Sequence, residues 1–81
     1  MPVTSAQVRM ARAALQWNVG DLGEKALISP AIVAAVEAGQ EARAADLMVL
    51  QRALETAGVE FIADNGGGPG VRLKGQKAKR R

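Results

Sequence analysis

The sequence predicts a mainly α-helical domain: four short helices, a C-terminal β-hairpin and a disordered basic tail. Three observations predict it. Apolar residues recur at helical spacing in four segments, and most of these carry a capping residue at one end. The runs "VEFIA" and "VRLK" bracket the turn cluster "DNGGGPG". The last residues, "GQKAKRR", hold no apolar side chain larger than Ala78 and end in basic residues. An 81-residue chain makes one small domain. It divides into a helical body (1–58), a hairpin extension (59–74) and a tail (75–81).

Each element has its own signature. "TSAQ" at Thr4–Gln7 has capping-box spacing, and Val8, Ala11, Ala14 and Leu15 follow on one face. A first helix is predicted from Ser5 to about Gln16. Trp17 follows, read as an indole plug between two helices. Asn18 caps a second helix, about Val19 to Ala26, with Asp21 favoured near its positive end. Gly20 and Gly23 each cost that helix about 1 kcal/mol against Ala. A close helix crossing explains Gly23.

Leu27 and Ile28 separate this helix from Ser29, which caps a third helix from Pro30 to about Ala38. Two helices on so tight a turn form a helix-turn-helix. Gly39 is placed for a left-handed cap. "GQEAR" is a loop, and Leu47, Leu50, Leu54 and Ala57 mark a fourth helix from about Ala45, closed by Gly58. Val33 and Val36 are assigned to the core and Ile32 to the outer side.

Composition narrows the chemistry. The chain has no Cys and no His, which removes thiol chemistry, disulfides and the commonest general base. Glu24, Glu37, Glu41 and Asp46 form no recognisable carboxylate pair. "NGGGPG" lacks the Lys-Ser/Thr of a phosphate loop. No enzyme, cofactor or metal site is expected. No apolar run approaches the roughly 18 residues of a membrane span. The N-terminus lacks the basic-then-apolar order of a signal peptide, so a cytoplasmic location is expected.

Charge is uneven. Residues 1–58 hold five basic and six acidic groups; residues 59–81 hold six basic and two acidic. The body is therefore −1 and the C-terminal part +4, giving the net +3. Such an end suits a polyanion such as nucleic acid, or serves solubility.

The residues carry a resemblance. "VRMARAALQW" (Val8–Trp17), the spacing from Ser29 to "EAG" (Glu37–Gly39), and "LQRALETAGVEFIADNGGGPGVRL" (Leu50–Leu73) resemble the Xre family of bacterial and phage repressors. The last stretch is similar to a subgroup of short alphaproteobacterial regulators. The likeness spans Thr4 to Leu73. It implies a four-helix repressor-like fold in a nucleoid-associated transcriptional regulator. Helix three would lie in the major groove of double-stranded DNA. Carried over by position, Asn18 and Val19 would open helix two near a phosphate, and Ser29 would cap helix three beside another. Pro30, Ala31, Ile32 and Ala35 would face the bases, Arg43 would flank the backbone, and Glu37 would bond backbone groups after helix three. Lys74, Lys77, Lys79, Arg80 and Arg81 would add phosphate contacts.

This chain departs from the family pattern. Val19 stands where Gln is usual, Leu27 where Gly is usual, and polar base-reading residues are replaced by Pro and Ala. Pro and Ala side chains make no hydrogen bonds, so direct base readout is weak. Two functions follow: DNA binding through phosphates and shape, or an adaptor or anti-activator that binds a protein partner through an apolar helix three. A homodimer joined at the hairpin through Val59, Phe61, Val71 and Leu73 is a further expectation. The alternative is that the hairpin packs on helix four in a monomer.

Overall fold

The computed structural model describes residues 3–74. Within them lie four helices and two strands: α1 (Ser5–Ala14), α2 (Val19–Ala26), α3 (Pro30–Glu37), α4 (Ala44–Thr56), β1 (Val59–Ile62) and β2 (Gly70–Leu73). The basic tail predicted at 75–81, with Lys77, Lys79, Arg80 and Arg81, lies outside the described residues.

Capping sets the helix starts. Thr4 and Gln7 form the reciprocal box, with bonds of 3.1 and 3.0 Å, and Asn18 and Asp21 form a second at 2.7 and 2.9 Å. Ser29 Oγ accepts from the Ala31 amide at 3.0 Å, with Pro30 in the first helical position. α1 stops at Ala14, short of the predicted Gln16, because Gln16 turns left-handed at φ 61°. The Trp17 amide then reaches back to the Arg12 carbonyl at 3.0 Å.

α2 ends on Leu27, itself left-handed at φ 62°, and the Ile28 amide returns to the Gly23 carbonyl at 2.9 Å. Gly23 suits this corner. A Cβ there would sit 2.8 Å from the Ile28 carbonyl oxygen and 3.3 Å from the Pro30 nitrogen. The sequence reading expects a helix crossing at Gly23; the close approach is made instead by the backbone of the α2–α3 turn.

One core joins all six elements. Val8, Leu22, Val33, Leu50, Leu54 and Val59 are fully buried, with Ala11 and Val36 beside them. Each large member contributes about 1.5–3 kcal/mol through burial. β1 and β2 pair antiparallel, with Val59 opposite Leu73 and Phe61 opposite Val71. Asp64 Oδ1 accepts from the Gly66 and Gly68 amides at 3.0 Å and shapes the turn. Those four strand residues all belong to the core or pack against it. No helix among the described residues is long and apolar enough to cross a membrane.

Candidate nucleic-acid interface

The side-chain hydrogen bonds that hold the end of α3 run to α1. Glu37 is buried, and its carboxylate takes a two-pronged pair from Arg12: Nε to Oε2 at 2.7 Å and Nη2 to Oε1 at 2.9 Å. Arg12 Nη1 also donates to the Trp17 carbonyl at 3.0 Å, and Arg9 donates to the Glu37 carbonyl. The bonded carboxylate holds the Arg12 guanidinium above its ordinary pKa. This corrects the sequence reading, which gave Glu37 no charged partner and assigned its side chain to backbone groups. Arg12 and Glu37 lie 25 positions apart, so spacing alone does not pair them.

The opposite surface of α3 is different in kind. Pro30, Ala31 and Ala34 are exposed, and Ala35 is half-buried. Leu27, just before the helix, is 89% exposed. Ile32 packs partly against the core, which corrects its assignment to the outer side. What faces solvent is methyl and ring carbon, without a charge or a hydrogen-bonding side chain beyond Ser29.

Backbone donors complete the picture. At the start of α3, Pro30 has no N–H, Ala31 donates to Ser29 Oγ, and Ile32 and Val33 both donate to the Ser29 carbonyl. Every donor there is used. α4 begins differently: Arg43 occupies its cap position but makes no capping bond. Among the described residues, the amides of Ala44, Ala45 and Asp46 have no acceptor. At the start of α2, those of Val19 and Gly20 are also free, although the Asp21 carboxylate stands beside them. The starts of α2 and α4 thus keep free donors, each beside a first-turn carboxylate (Asp21 and Asp46), and the start of α3 keeps none.

The other predicted contact residues divide similarly. Asn18 is exposed but spends its side chain on the cap, and the Val19 side chain packs on the core. Arg43 is exposed and leans toward Asp46 at 3.5 Å. Lys74 is exposed just past β2, its amide bonded to the Gly58 carbonyl at 2.8 Å. Val59 is fully buried in its own chain and has no surface to give a second copy, which corrects its place in the expected dimer face. Phe61, Val71 and Leu73 are half-buried against the same core. Trp17 is also corrected: it is a half-buried wall rather than a plug, with Lys25 Nζ 5.9 Å from the ring centroid.

Gln7 carries a role that the sequence reading missed. Beyond its cap bonds, its amide nitrogen donates to the Ile62 and Gly70 carbonyls, both at 3.0 Å. One side chain thus ties α1 to both strands. A capping-box Gln followed by an apolar face is the only sequence trace of this.

Comparison with protein-family models gives no match, and comparison with curated proteins gives none either.

Proposed function

We propose that the chain binds double-stranded DNA as an Xre-type helix-turn-helix regulator, without enzymatic activity, through the backbone rather than through base edges. The observation that carries the reading is the contrast in donors. The free amides at the starts of α2 and α4, with Arg43, suit phosphates on either side of α3 in sequence. The methyl surface of α3 suits a groove read by shape and by thymine methyl contacts. Lys74 and the four basic residues that follow it in sequence, Lys77, Lys79, Arg80 and Arg81, add positive charge that favours a polyanion.

The test is a titration against the chain's own upstream duplex and an unrelated duplex at two salt concentrations. The expected result is binding to both, steeply salt-dependent, with a modest preference for the upstream sequence. Absence of binding to either overturns the reading.

A second reading rests on Leu27. An apolar side chain 89% exposed beside a methyl-faced helix suits a protein partner better than a phosphate backbone. In that reading the chain is an adaptor or anti-activator. Homodimerisation stays part of the proposal, but through the open outer edges of β1 and β2 rather than the face holding Val59. Sedimentation at high micromolar concentration tests it, and a purely monomeric boundary rejects it.

A further inference from the structure

A cleft of about 470 Å³ opens between α2, the C-terminal half of α4 and the turn after α1. No part of α3 lines it. Trp17, Lys25 and Arg52 stand around it, and Ala26, Ala53 and Ala57 give it apolar wall. We propose that this cleft binds a small carboxylate with an aromatic body, the ring against Trp17 and the acid between Lys25 and Arg52. The inference is independent of DNA binding.

Three observations carry it. The backbone that carries the indole is pinned on both sides. The Trp17 amide donates to the Arg12 carbonyl and its carbonyl accepts from Arg12 Nη1, both at 3.0 Å. Arg12 is itself fixed by Glu37. The indole projects from this pinned backbone, partly packed on the core, and offers a ring wall to a flat ligand.

The charge at the cleft has no acidic counterpart, and Lys25 Nζ lies over the Trp17 ring, 5.9 Å from its centroid. No carboxylate lines the cleft. Among the described residues, neither Lys25 nor Arg52 forms an ion pair. Glu55, three positions from Arg52, accepts from Gln51 instead, at 3.1 Å. Two cations beside an apolar wall select an anion over a neutral or cationic molecule of the same shape.

The walls also suit a flat ring. Ala side chains keep α2 and α4 from filling the space, and the volume lies within the usual range for small-molecule sites, about 300–1,000 Å³. Thr56 lines the cleft near the end of α4 and carries no charge. The Ala53, Leu54 and Glu55 carbonyls near the end of α4 are bonded by the Ala57 and Gly58 amides, which blunts their repulsion of an anion.

Trp17 is the single tryptophan, so its fluorescence and its one indole N–H resonance report on this site directly. The probe is phenylacetate, with phenethylamine and acetate as controls, added to the full chain. Phenylacetate is expected to shift both signals saturably, with a dissociation constant of about 1–10 mM for a ligand of that size. Phenethylamine and acetate are expected to leave the signals unchanged. Reversing either charge, Lys25→Glu or Arg52→Glu, is expected to weaken phenylacetate binding by about two- to fivefold. The double reversal is expected to favour phenethylamine. Both residues are exposed, and circular dichroism checks that the variants fold. Equal binding of phenylacetate and phenethylamine to the wild type overturns the proposal, as does the lack of a saturable shift with phenylacetate. The wild-type comparison alone decides the matter if a variant fails to fold.

Discussion

The two faces of α3 put their atoms to opposite uses. Its inner face is anchored by Val33 and Val36 in the core and by Glu37, which Arg12 grips with two bonds. Its outer face offers Pro30, Ala31 and Ala34, with every backbone donor of the first turn already filled. Polar chemistry in this helix orients it and does not read anything. If α3 recognises a partner, it does so by shape and apolar contact, while specific polar contacts come from neighbouring elements.

The largest effect is expected from breaking the inner anchor. Arg12→Ala leaves the buried Glu37 carboxylate without its partner and is expected to cost about 2–4 kcal/mol. The lower part of that range fits best, because the Arg12 side chain is 24% exposed. Replacing both members with Leu is expected to recover much of the loss, since a buried pair and an apolar pair of similar volume differ little. Thermal melts of the single and double variants measure the coupling. The raised Arg12 pKa fixes the pH dependence. A cation held above its unfolded value stabilises below that value and loses the contribution only as pH rises through the folded one. The Arg12 contribution is therefore constant across neutral and mildly alkaline pH.

A second tie anchors the hairpin. Gln7→Ala removes half of the capping box and leaves the Ile62 and Gly70 carbonyls without their shared donor. The expected cost is about 2 kcal/mol. Amide exchange in β1 and β2 is expected to accelerate more than in α4. Uniform acceleration across the chain would show that the hairpin does not open separately.

Gly23 tests the corner between α2 and α3. Ala gains helix propensity worth about 1 kcal/mol but sets a Cβ against a backbone carbonyl that cannot step aside, at a cost of about 1–3 kcal/mol. Gly23→Ala is expected to lose about 1 kcal/mol net in denaturant melts. Gly20 is the control. Its added Cβ meets only the Asn18 side-chain oxygen, at 3.3 Å, which the Asp21 amide holds in the cap, so the propensity gain is offset and Gly20→Ala is expected to be close to neutral. Equal effects at both glycines would reject the close approach as the reason for Gly23.

These residues also mark how much the sequence discloses. Caps and periodicity are local, so Thr4, Asn18, Ser29, Gly39 and Gly58 bounded the elements to within a residue or two. Val33 and Val36 were legible as core for the same reason. The Arg12–Glu37 pair, the bonds from Gln7 to two strands and the cleft at Trp17 were not legible, because each joins segments far apart in the chain. Ile32 and Val59 were placed on the surface because a short helix and a four-residue strand leave little periodicity from which to decide a face. The free amides at the start of α4 follow from Arg43 standing in a cap position without capping, which the loop "GQEAR" does not announce.

Leu27 gives the smallest effect and the sharpest separation of the two functional readings. Its φ of 62° costs a residue with a Cβ about 1–2 kcal/mol, which Gly does not incur. Gly in turn adds about 0.5–1 kcal/mol of unfolded-state entropy to be lost on folding. With 89% of Leu27 exposed, the substitution gives up almost no packing. Leu27→Gly is therefore expected to stabilise the fold by roughly 0.5 kcal/mol, raising the melting temperature by a few degrees. Function responds differently in the two readings. A DNA complex held by phosphates and the methyl face of α3 keeps its affinity within about twofold, because phosphate contacts position the protein and Leu27 makes none. A protein partner seated on α3 loses a large apolar contact, and burial of one Leu side chain is worth about 1.5–3 kcal/mol, or more than tenfold in affinity. The measurement is a melt paired with a binding titration on the same preparation. A variant that is more stable and binds DNA as before supports the regulator. One that is more stable but has lost a protein partner supports the adaptor. A loss of stability would mean that Leu27 packs against something its exposure denies, and the apolar surface beside α3 would then belong to the fold rather than to a partner.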